Sequence, residues 1–595
     1  MFKSIVHLLF NTIDQYGKKD ALRYREGDKV VSISYEELGE RVINLTHGMS
    51  VLGIKEGDKI AILSNNRPEW PITDFASFAL KALVIPIYQT LPPNQIEYIL
   101  NDAQVRAVFV ENELQLKKIE EIKKNISTLE FIVIFDSPKT KKKGVETFSS
   151  LIVNGEKHRK EHKDFFKKSI DKIKSEEICT IVYTSGTTGN PKGVMLHHKG
   201  FVQDIINAEA VLNIYPDDVF LSFLPLSHLY ERLAGHWTPI YRGATIYYAR
   251  SIDTVIEDIA EARPTIMVSV PRLYEKVASA VQDQVEHGPA VKRNLFYWAI
   301  GTGLEYHEKR IEGTAGKWLE KRYQFADKVV FSKIKKKLGG RFRCPIAGGA
   351  PLSVDTLKFF EAIGLRIVEG YGMTETHLII TLTPPGKTKY GSCGKPIGGL
   401  ELRIAEDGEV LIKGDILMAG YYNQPEITAE TIDKDGWLHT GDIGYLDEDN
   451  YLFLTDRKKN IIVTSGGKNV APAPIEHKLK TSKYIDEVCL VGNQRKFISA
   501  LIIPNYELLK KWAKENNLKL ESNEELVKSK EVLDFMMNEV NNMQEEFARY
   551  EAVKKITLLP VPFSIDEGEI TPSLKIKRNV VEKKYKTLID RMYVV

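Results

Sequence analysis

Ile178-Cys-Thr-Ile-Val-Tyr-Thr-Ser-Gly-Thr-Thr-Gly-Asn-Pro-Lys-Gly-Val194 begins as a run of β-branched and apolar residues and then breaks into a loop of glycines, hydroxyls and one lysine. The first half reads as a buried strand, which puts the loop at its carboxyl end. Gly186, Gly189 and Gly193 allow close approach of backbone, the hydroxyls of Thr184, Ser185, Thr187 and Thr188 donate hydrogen bonds, and Lys192 adds positive charge. Together these are the groups that wrap phosphate oxygens. The GxxxxGK[ST] spacing of a Walker P-loop is absent, so the loop belongs to a different phosphate-binding design.

On either side of this stretch the same rhythm recurs. Short apolar runs at 59–64, 84–89, 107–110 and 131–135, then at 218–225, 244–249, 265–271, 343–349 and 365–372, alternate with helical segments such as 70–83 and 93–103. Alternating strands and helices predict a parallel sheet covered on both faces, with ligands beyond the carboxyl ends of its strands. After Gly391 the pattern changes to 401–414 and 444–457, where Asp-Gly and Glu-Asp-Asn punctuate alternating runs as in antiparallel hairpins. Shorter strands at 460–466, 486–493, 499–504 and 555–560, with a polar helical stretch from Tyr506 to about Tyr550, follow. The expected fold class is α/β. A large N-terminal domain of mostly parallel α/β sheets with a β-rich subdomain spans 1–455, a hinge spans 456–460, and a smaller, mobile α+β C-terminal domain spans 461–595.

With 595 residues the chain exceeds what one core can usefully serve. Lys and Arg number 83 against 80 Asp and Glu, so no global positive field marks a nucleic-acid binder. Four scattered cysteines without a CxxC pair argue against disulfides or zinc and for a reducing, cytoplasmic setting. The first twenty residues lack the parts of a signal peptide and read as an amphipathic helix, and no apolar run is long enough to span a bilayer. Two stretches are locally basic, 139–144 with 157–169, and 281–337. Each reads first as a solvated face, with peripheral contact to anionic lipid at the cytoplasmic membrane face as the alternative.

With its glycines, hydroxyls and lysine, the 183–194 stretch resembles the adenylate-forming superfamily of acyl-CoA synthetases, adenylation domains and luciferases, and the resemblance runs along nearly the whole chain. It implies that Thr184, Ser185, Gly186, Thr187, Thr188, Gly189 and Lys192 handle the pyrophosphate end of ATP, with Thr184 helping to hold Mg²⁺. Gly370-Tyr-Gly-Met-Thr-Glu-Thr376 is a second match. There Tyr371 and Gly372 would meet adenine, Thr374 the α-phosphate, and Glu375 would ligate Mg²⁺, a hard cation that prefers oxygen donors. Ala347-Gly-Gly-Ala-Pro-Leu352 resembles the segment lining the adenine and acyl pocket, through Gly349 and Ala350.

Asp435-Gly-Trp-Leu-His-Thr-Gly-Asp-Ile-Gly444 with Thr455-Asp-Arg-Lys-Lys-Asn-Ile-Ile462 resembles the signature of fatty-acyl-CoA synthetases. Asp442 would accept hydrogen bonds from both ribose hydroxyls, Arg457 would reinforce the ribose, and Lys459 matches the hinge. Beyond Ile462 the chain departs from the commonest signature, reading VTSGGKNVAPAPIE. Gly466, Gly467 and Lys468 fall where relatives pass the pantetheine of coenzyme A. Gly568-Glu-Ile-Thr-Pro-Ser-Leu-Lys-Ile-Lys-Arg578 resembles the motif that ends in a catalytic lysine, placed on Lys575, with Lys577 as the competing assignment. His228 stands either as a packed core residue or near the acyl carboxylate. A hydrolase built on Ser185 and His228 is disfavoured because no GxSxG elbow is present.

The resemblance implies an AMP-forming long-chain fatty acid:CoA ligase that uses ATP, Mg²⁺ and coenzyme A, with the C-terminal domain rotating between half-reactions. Delivery to a carrier protein, action on shorter or aryl acids, and a catalytically dead binder are the alternatives. That the chain ends soon after Lys575 favours free coenzyme A over a fused carrier. Acyl chain length and oligomeric state, a homodimer included, stay open.

Overall fold

The structure, a computed structural model, describes residues 2–138, 142–184, 190–544, 547–571 and 575–594. It divides into two compact units. The first takes in Met1–Ser185, Asn190–Leu402 and Ile412–Leu438, and the second takes in Arg403–Leu411 and His439–Val595. The division therefore cuts the chain more than once, and position 455 falls inside the second unit.

In the first unit an eight-stranded sheet is built around Lys59–Leu63, which pairs in parallel with Leu83–Ile87 and Ala107–Val110. Ile60, Ala61, Ile62 and Leu63 are all buried, the continuous apolar run of a strand covered on both faces. Ile178–Thr184 lies parallel to Leu83–Ile87 and antiparallel to Lys192–His197, so the 183–194 stretch joins two paired strands. A nine-stranded sheet holds Val219–Ser222, Thr245–Tyr248, Ile266–Ser269, Cys344–Ala347 and Val368–Tyr371 in parallel. The carboxyl ends of the last two deliver Gly349 and Glu375.

Between these sheets one hydrophobic cluster gathers Leu8, Trp70, Phe75, Phe201 and Trp237 with strand residues from both. At its centre Arg232 is fully buried. Its guanidinium donates to both carboxylate oxygens of Asp74 and, at 2.9 Å, to the hydroxyl of Thr180. Its face lies 4.7 Å from the Trp237 ring. A buried cation survives here because every hydrogen-bonding edge is met and its faces are covered by aromatic rings. Arg232 sits in a seven-residue π-helical turn, Glu231–Trp237, a departure from α-geometry that periodicity does not reveal.

In the second unit Ile485–Val491 and Val553–Leu558 flank Ile498–Pro504, antiparallel and parallel respectively. Helices Pro472–Leu479 and Lys530–Met543 pack on this sheet through an apolar core. The helical stretch read from Tyr506 to Tyr550 is three helices, Tyr506–Glu515, Asn523–Leu526 and Lys530–Met543. Asn517 takes a left-handed φ of 61°, and the side chains of Ser522 and Ser529 cap the next two helices, so local capping outweighs helical propensity. A four-stranded sheet orders Leu400–Ile404, Glu409–Gly414, Leu438–Leu446 and Leu452–Arg457, with the expected hairpin between the last two. No helix among the described residues is long and apolar enough to cross a membrane.

Candidate functional site

Of the residues expected to wrap phosphate, Ser185, Gly186, Thr187, Thr188 and Gly189 lie outside the described residues. Their flanks are held in place. Thr184 ends its strand opposite Lys192, and the Tyr98 hydroxyl donates to the Pro191 carbonyl at 3.3 Å. The short strand Gly420–Tyr421 adds to the outer edge, with Tyr421 opposite Val194.

That strand brings two motifs together. The Tyr421 hydroxyl donates to Glu375 Oε1 at 2.8 Å, and the Lys192 ammonium lies 5.0 Å from the Tyr421 ring centroid. Burial, then the Glu375 charge, pushes the Tyr421 hydroxyl far above the usual phenol range, so it remains a donor. Glu375 is buried, and its second carboxylate oxygen accepts no hydrogen bond among the described residues. The donors of this site are carboxylate and hydroxyl oxygens, which suit Mg²⁺. No cluster of three His, Cys, Asp or Glu side chains that could hold a metal occurs among the described residues.

Glu375 lies in a one-turn helix, Thr374–Thr376, followed by backbone under strain. His377 has φ 58° and Leu378 φ 148°, values that side chains with a Cβ rarely adopt. Neighbours hold them there. The His377 ring bonds Ile416 O at 2.8 Å and accepts from His197 N at 3.0 Å, and burial lowers its pKa to about 3, so it is neutral. Asp204 accepts from Ile379 N at 2.9 Å. Gly372 is required by close approach, since a Cβ there would lie 1.4 Å from Leu378 O. Tyr371 is half-buried at the end of Val368–Tyr371, and Thr374 is half-buried beside it.

A second convergence involves His228, which follows the strand Val219–Ser222. Its Nδ1 accepts from Tyr230 N at 3.1 Å, leaving the proton on Nε2 when the ring is neutral, and its ring meets the edge of Tyr88. Tyr230 runs beneath Gly348, where a Cβ would come within 2.9 Å of the ring, and so packs the His228 segment against the residue that precedes the exposed Gly349 and Ala350. Gly349 has φ 83°, a conformation suited to glycine.

In the second unit, the hairpin register places Asp442 opposite Arg457, and Arg457 Nε lies 3.0 Å from Asp442 Oδ1. Asp442 is buried and Arg457 is half exposed. Glu409 accepts from Gly441 N at 2.9 Å and pairs with Lys458 at 3.0 Å, fixing both strands beside Asp442. Sequence reasoning missed Glu409 and Tyr421, because neither stands in a recognisable motif. Lys459 is exposed in the turn that follows. Lys468 is exposed on the turn after Gly467, with its ammonium 5.5 Å from the Tyr550 ring.

Lys575 belongs to a loop tied at its base. Thr571 N donates to Lys575 O at 2.8 Å, and Lys575 N donates to the Thr571 hydroxyl at 3.0 Å. Desolvation and, next, the Arg457 charge hold the Lys575 ammonium below the usual lysine range, with Asp442 opposing. The residue itself is exposed in outline, so the crowding is local and solvent screening weakens it. Lys577, the competing assignment, is half-buried and donates its backbone N–H to Glu569 O at 2.8 Å.

Comparison with known proteins bears on the whole chain. A family model described as AMP-binding enzyme matches residues 9–422, and one described as AMP-binding enzyme C-terminal domain matches 459–595. The chain is 33% identical over 551 residues to long-chain-fatty-acid–CoA ligase FadD15 of Mycobacterium bovis, covering 92% of this chain and 90% of the relative. It is 31% identical over 627 residues to long-chain-fatty-acid–CoA ligase ACSBG2 of Xenopus laevis, covering 99% and 83%. Among solved structures, the adenylation domain of a carboxylate reductase from Mycobacterium chelonae superposes with a TM-score of 0.75 at 21% identity, covering 99% and 91%. That last likeness is one of fold alone. With both family models matched in order along the two units, the chain belongs to the family of AMP-binding enzymes.

Proposed function

We propose that this protein is an AMP-forming long-chain fatty acid:CoA ligase, which converts a fatty acid, ATP and coenzyme A into fatty-acyl-CoA, AMP and pyrophosphate through an acyl-adenylate. One observation carries the reading: the similarity to long-chain-fatty-acid–CoA ligases extends over nearly the whole chain, both units included.

The chemistry follows from a poor leaving group. A free carboxylate cannot shed oxide, so its oxygen first attacks the α-phosphorus of ATP. The new P–O bond forms as the bond to the β-phosphate breaks, and pyrophosphate leaves with the electron pair. Charge gathers on phosphate oxygens in that step. Lys192 and the loop hydroxyls oppose it on the pyrophosphate side, and Lys575 opposes it at the α-phosphate. Glu375 and Thr184 would hold Mg²⁺, which would neutralise phosphate charge when bound. Tyr371, Gly372, Gly349 and Ala350 shape the adenine and acyl pocket, Thr374 meets the α-phosphate, Asp442 and Arg457 take the ribose, and His228 stands by the acyl carboxylate. The coenzyme A thiolate then attacks the acyl carbon, the C–O bond to AMP breaks, and AMP leaves. Residues 1–455 bind ATP and the acid, 456–460 form a hinge centred on Lys459, and 461–595 carry Lys575, with Lys468 near the pantetheine path. The setting is cytoplasmic. Profiling AMP release against straight-chain acids from acetate to oleate and against benzoate, with coenzyme A present, tests the substrate class. Activity that peaks at acetate or at benzoate would overturn it.

A further inference from the structure

Residues 290–337 hold twelve Lys and Arg against five Asp and Glu. That excess of seven exceeds the excess of three in the whole chain, so the remainder is net acidic. The segment folds as the helices Ala290–Ile311, Lys317–Ala326 and Ser332–Lys337, with the π-helical turn Asp327–Phe331 before the last. All lie in the first unit. Its inward side is ordinary core: Phe296, Ala299, Ala326, Phe331 and Ile334 are buried together.

The outward side is not ordinary. Trp318 is 70% exposed, Phe325 56% and Val291 80%, and Leu295 is exposed as well. Trp318, Arg322 and Phe325 follow one another at helical spacing, as do Val291, Leu295 and Trp298, so each set forms one stripe. The stripes meet. The Trp298 and Phe325 rings are 6.0 Å apart, and the Arg322 guanidinium lies 4.7 Å from the Trp318 ring and 5.9 Å from that of Trp298. Arg322 also pairs with Glu305 at 3.7 Å, whereas Lys317, Lys321, Lys328 and Lys292 border the stripes and are exposed. A contiguous apolar patch of this kind is uncommon on a monomer's surface.

We propose that this face seats the protein on an anionic lipid surface, with Trp318, Phe325, Leu295 and Val291 entering the interfacial region and the surrounding lysines meeting phosphate headgroups. Charge complementarity selects the partner. A ring of cations around aromatic and aliphatic side chains is the composition of an interfacial helix, whereas a self-association face would set Lys292, Lys317, Lys321 and Lys328 against the same lysines of a second copy. The proposal draws on the long-chain reading only in that such an acid partitions into membranes, and it is tested without turnover.

The full chain is sedimented with vesicles of phosphatidylcholine alone and of an equal mixture with phosphatidylglycerol. Binding is expected to the mixed vesicles, and it is expected to weaken as salt rises from about 0.1 M to about 1 M and the screening length falls from ~10 to ~3 Å. Trp318→Ser with Phe325→Ser, and separately Lys317→Glu with Lys321→Glu, should each lower the affinity at least about tenfold, given the roughly fivefold contribution of one cation near an anionic leaflet. Both variants should keep the wild-type melting temperature and the wild-type rate on a water-soluble medium-chain acid. No binding to anionic vesicles, equal binding to neutral ones, or binding untouched in both variants overturns the proposal. So does a dimer in sedimentation velocity that Trp318→Ser dissolves without any vesicle binding, which would assign the face to a second copy. A protein that binds as expected but turns over no acid would sink the ligase reading and leave this one standing.

Discussion

Tyr421 links the two motifs proposed to handle phosphate: its hydroxyl donates to Glu375 Oε1 at 2.8 Å while the Lys192 ammonium lies 5.0 Å from its ring. Orientation of the Glu375 carboxylate thus depends on a residue far from both motifs in sequence. Tyr421→Phe keeps the ring and removes the hydrogen bond. Loss of such a supporting bond to a metal-binding carboxylate costs roughly 10- to 100-fold in metal affinity. The expected result is a rise of that size in the Mg²⁺ needed for half-maximal pyrophosphate exchange, with a smaller change at saturating Mg²⁺. An unchanged Mg²⁺ titration would remove Tyr421 from the account.

Asp442 and Arg457 face each other across the hairpin with Nε and Oδ1 at 3.0 Å. If Asp442 takes the ribose hydroxyls and Arg457 aligns it, the two substitutions should differ. Asp442→Asn removes the acceptor charge and should raise the KM for ATP by about 10- to 100-fold, the worth of one or two charge-assisted hydrogen bonds. Arg457→Lys should cost only a few-fold, because Arg457 is half exposed and its pairing is screened. Saturation kinetics with ATP varied read both. A larger effect at Arg457 than at Asp442 would reverse the assignment.

Glu231 gives a pH-dependent stability. It is fully buried, neither carboxylate oxygen has a well-aligned hydrogen-bond partner among the described residues, and burial raises its pKa to about 8, opposed by a weaker interaction with the Ser222 hydroxyl. A group whose folded pKa lies above its unfolded value stays protonated in the folded chain while the unfolded chain ionises. Its contribution therefore falls as pH rises from the unfolded value near 4.5 to about 8. Glu231→Gln cannot ionise. It should melt close to wild type at pH 5 and be the more stable of the two at pH 8, by up to a few kcal/mol at roughly 1.4 kcal/mol per pKa unit. Equal differences at both values would contradict this.

The parallel strands were legible because fully buried strands leave continuous apolar runs such as 59–63 and 107–110, and the hairpin around 444–457 because its turn residues leave little choice. The candidate site could be proposed from the sequence where its residues sit in contiguous motifs, as Tyr371, Glu375, Asp442 and Arg457 do. Their supports could not. Tyr421 reaches Glu375 only because Gly420–Tyr421 adds to the strand Lys192–His197, and Asp74 reaches Arg232 from another helix altogether. Such pairings depend on long-range packing, which leaves no local pattern. The break in the helical stretch after Glu515 was missed because Asn517 is tolerated both in a helix end and in the left-handed region it occupies.

In the proposed mechanism Lys575 serves adenylation and not thioester formation. Its ammonium is held below the usual lysine range by desolvation and then by Arg457, so the charge it supplies should be lost at a lower pH than for an ordinary lysine. At saturating ATP, Arg457→Ala should move the alkaline limb of pyrophosphate exchange upward.

The most direct measurement compares the two half-reactions in Lys575→Ala with Mg²⁺ present: palmitate-dependent exchange of labelled pyrophosphate into ATP, and palmitoyl-CoA formation from supplied palmitoyl-AMP. The expected outcome is exchange lowered by about 10²- to 10³-fold and thioester formation within a few-fold of wild type. Wild-type exchange in the variant, or equal loss of both half-reactions, would contradict the account.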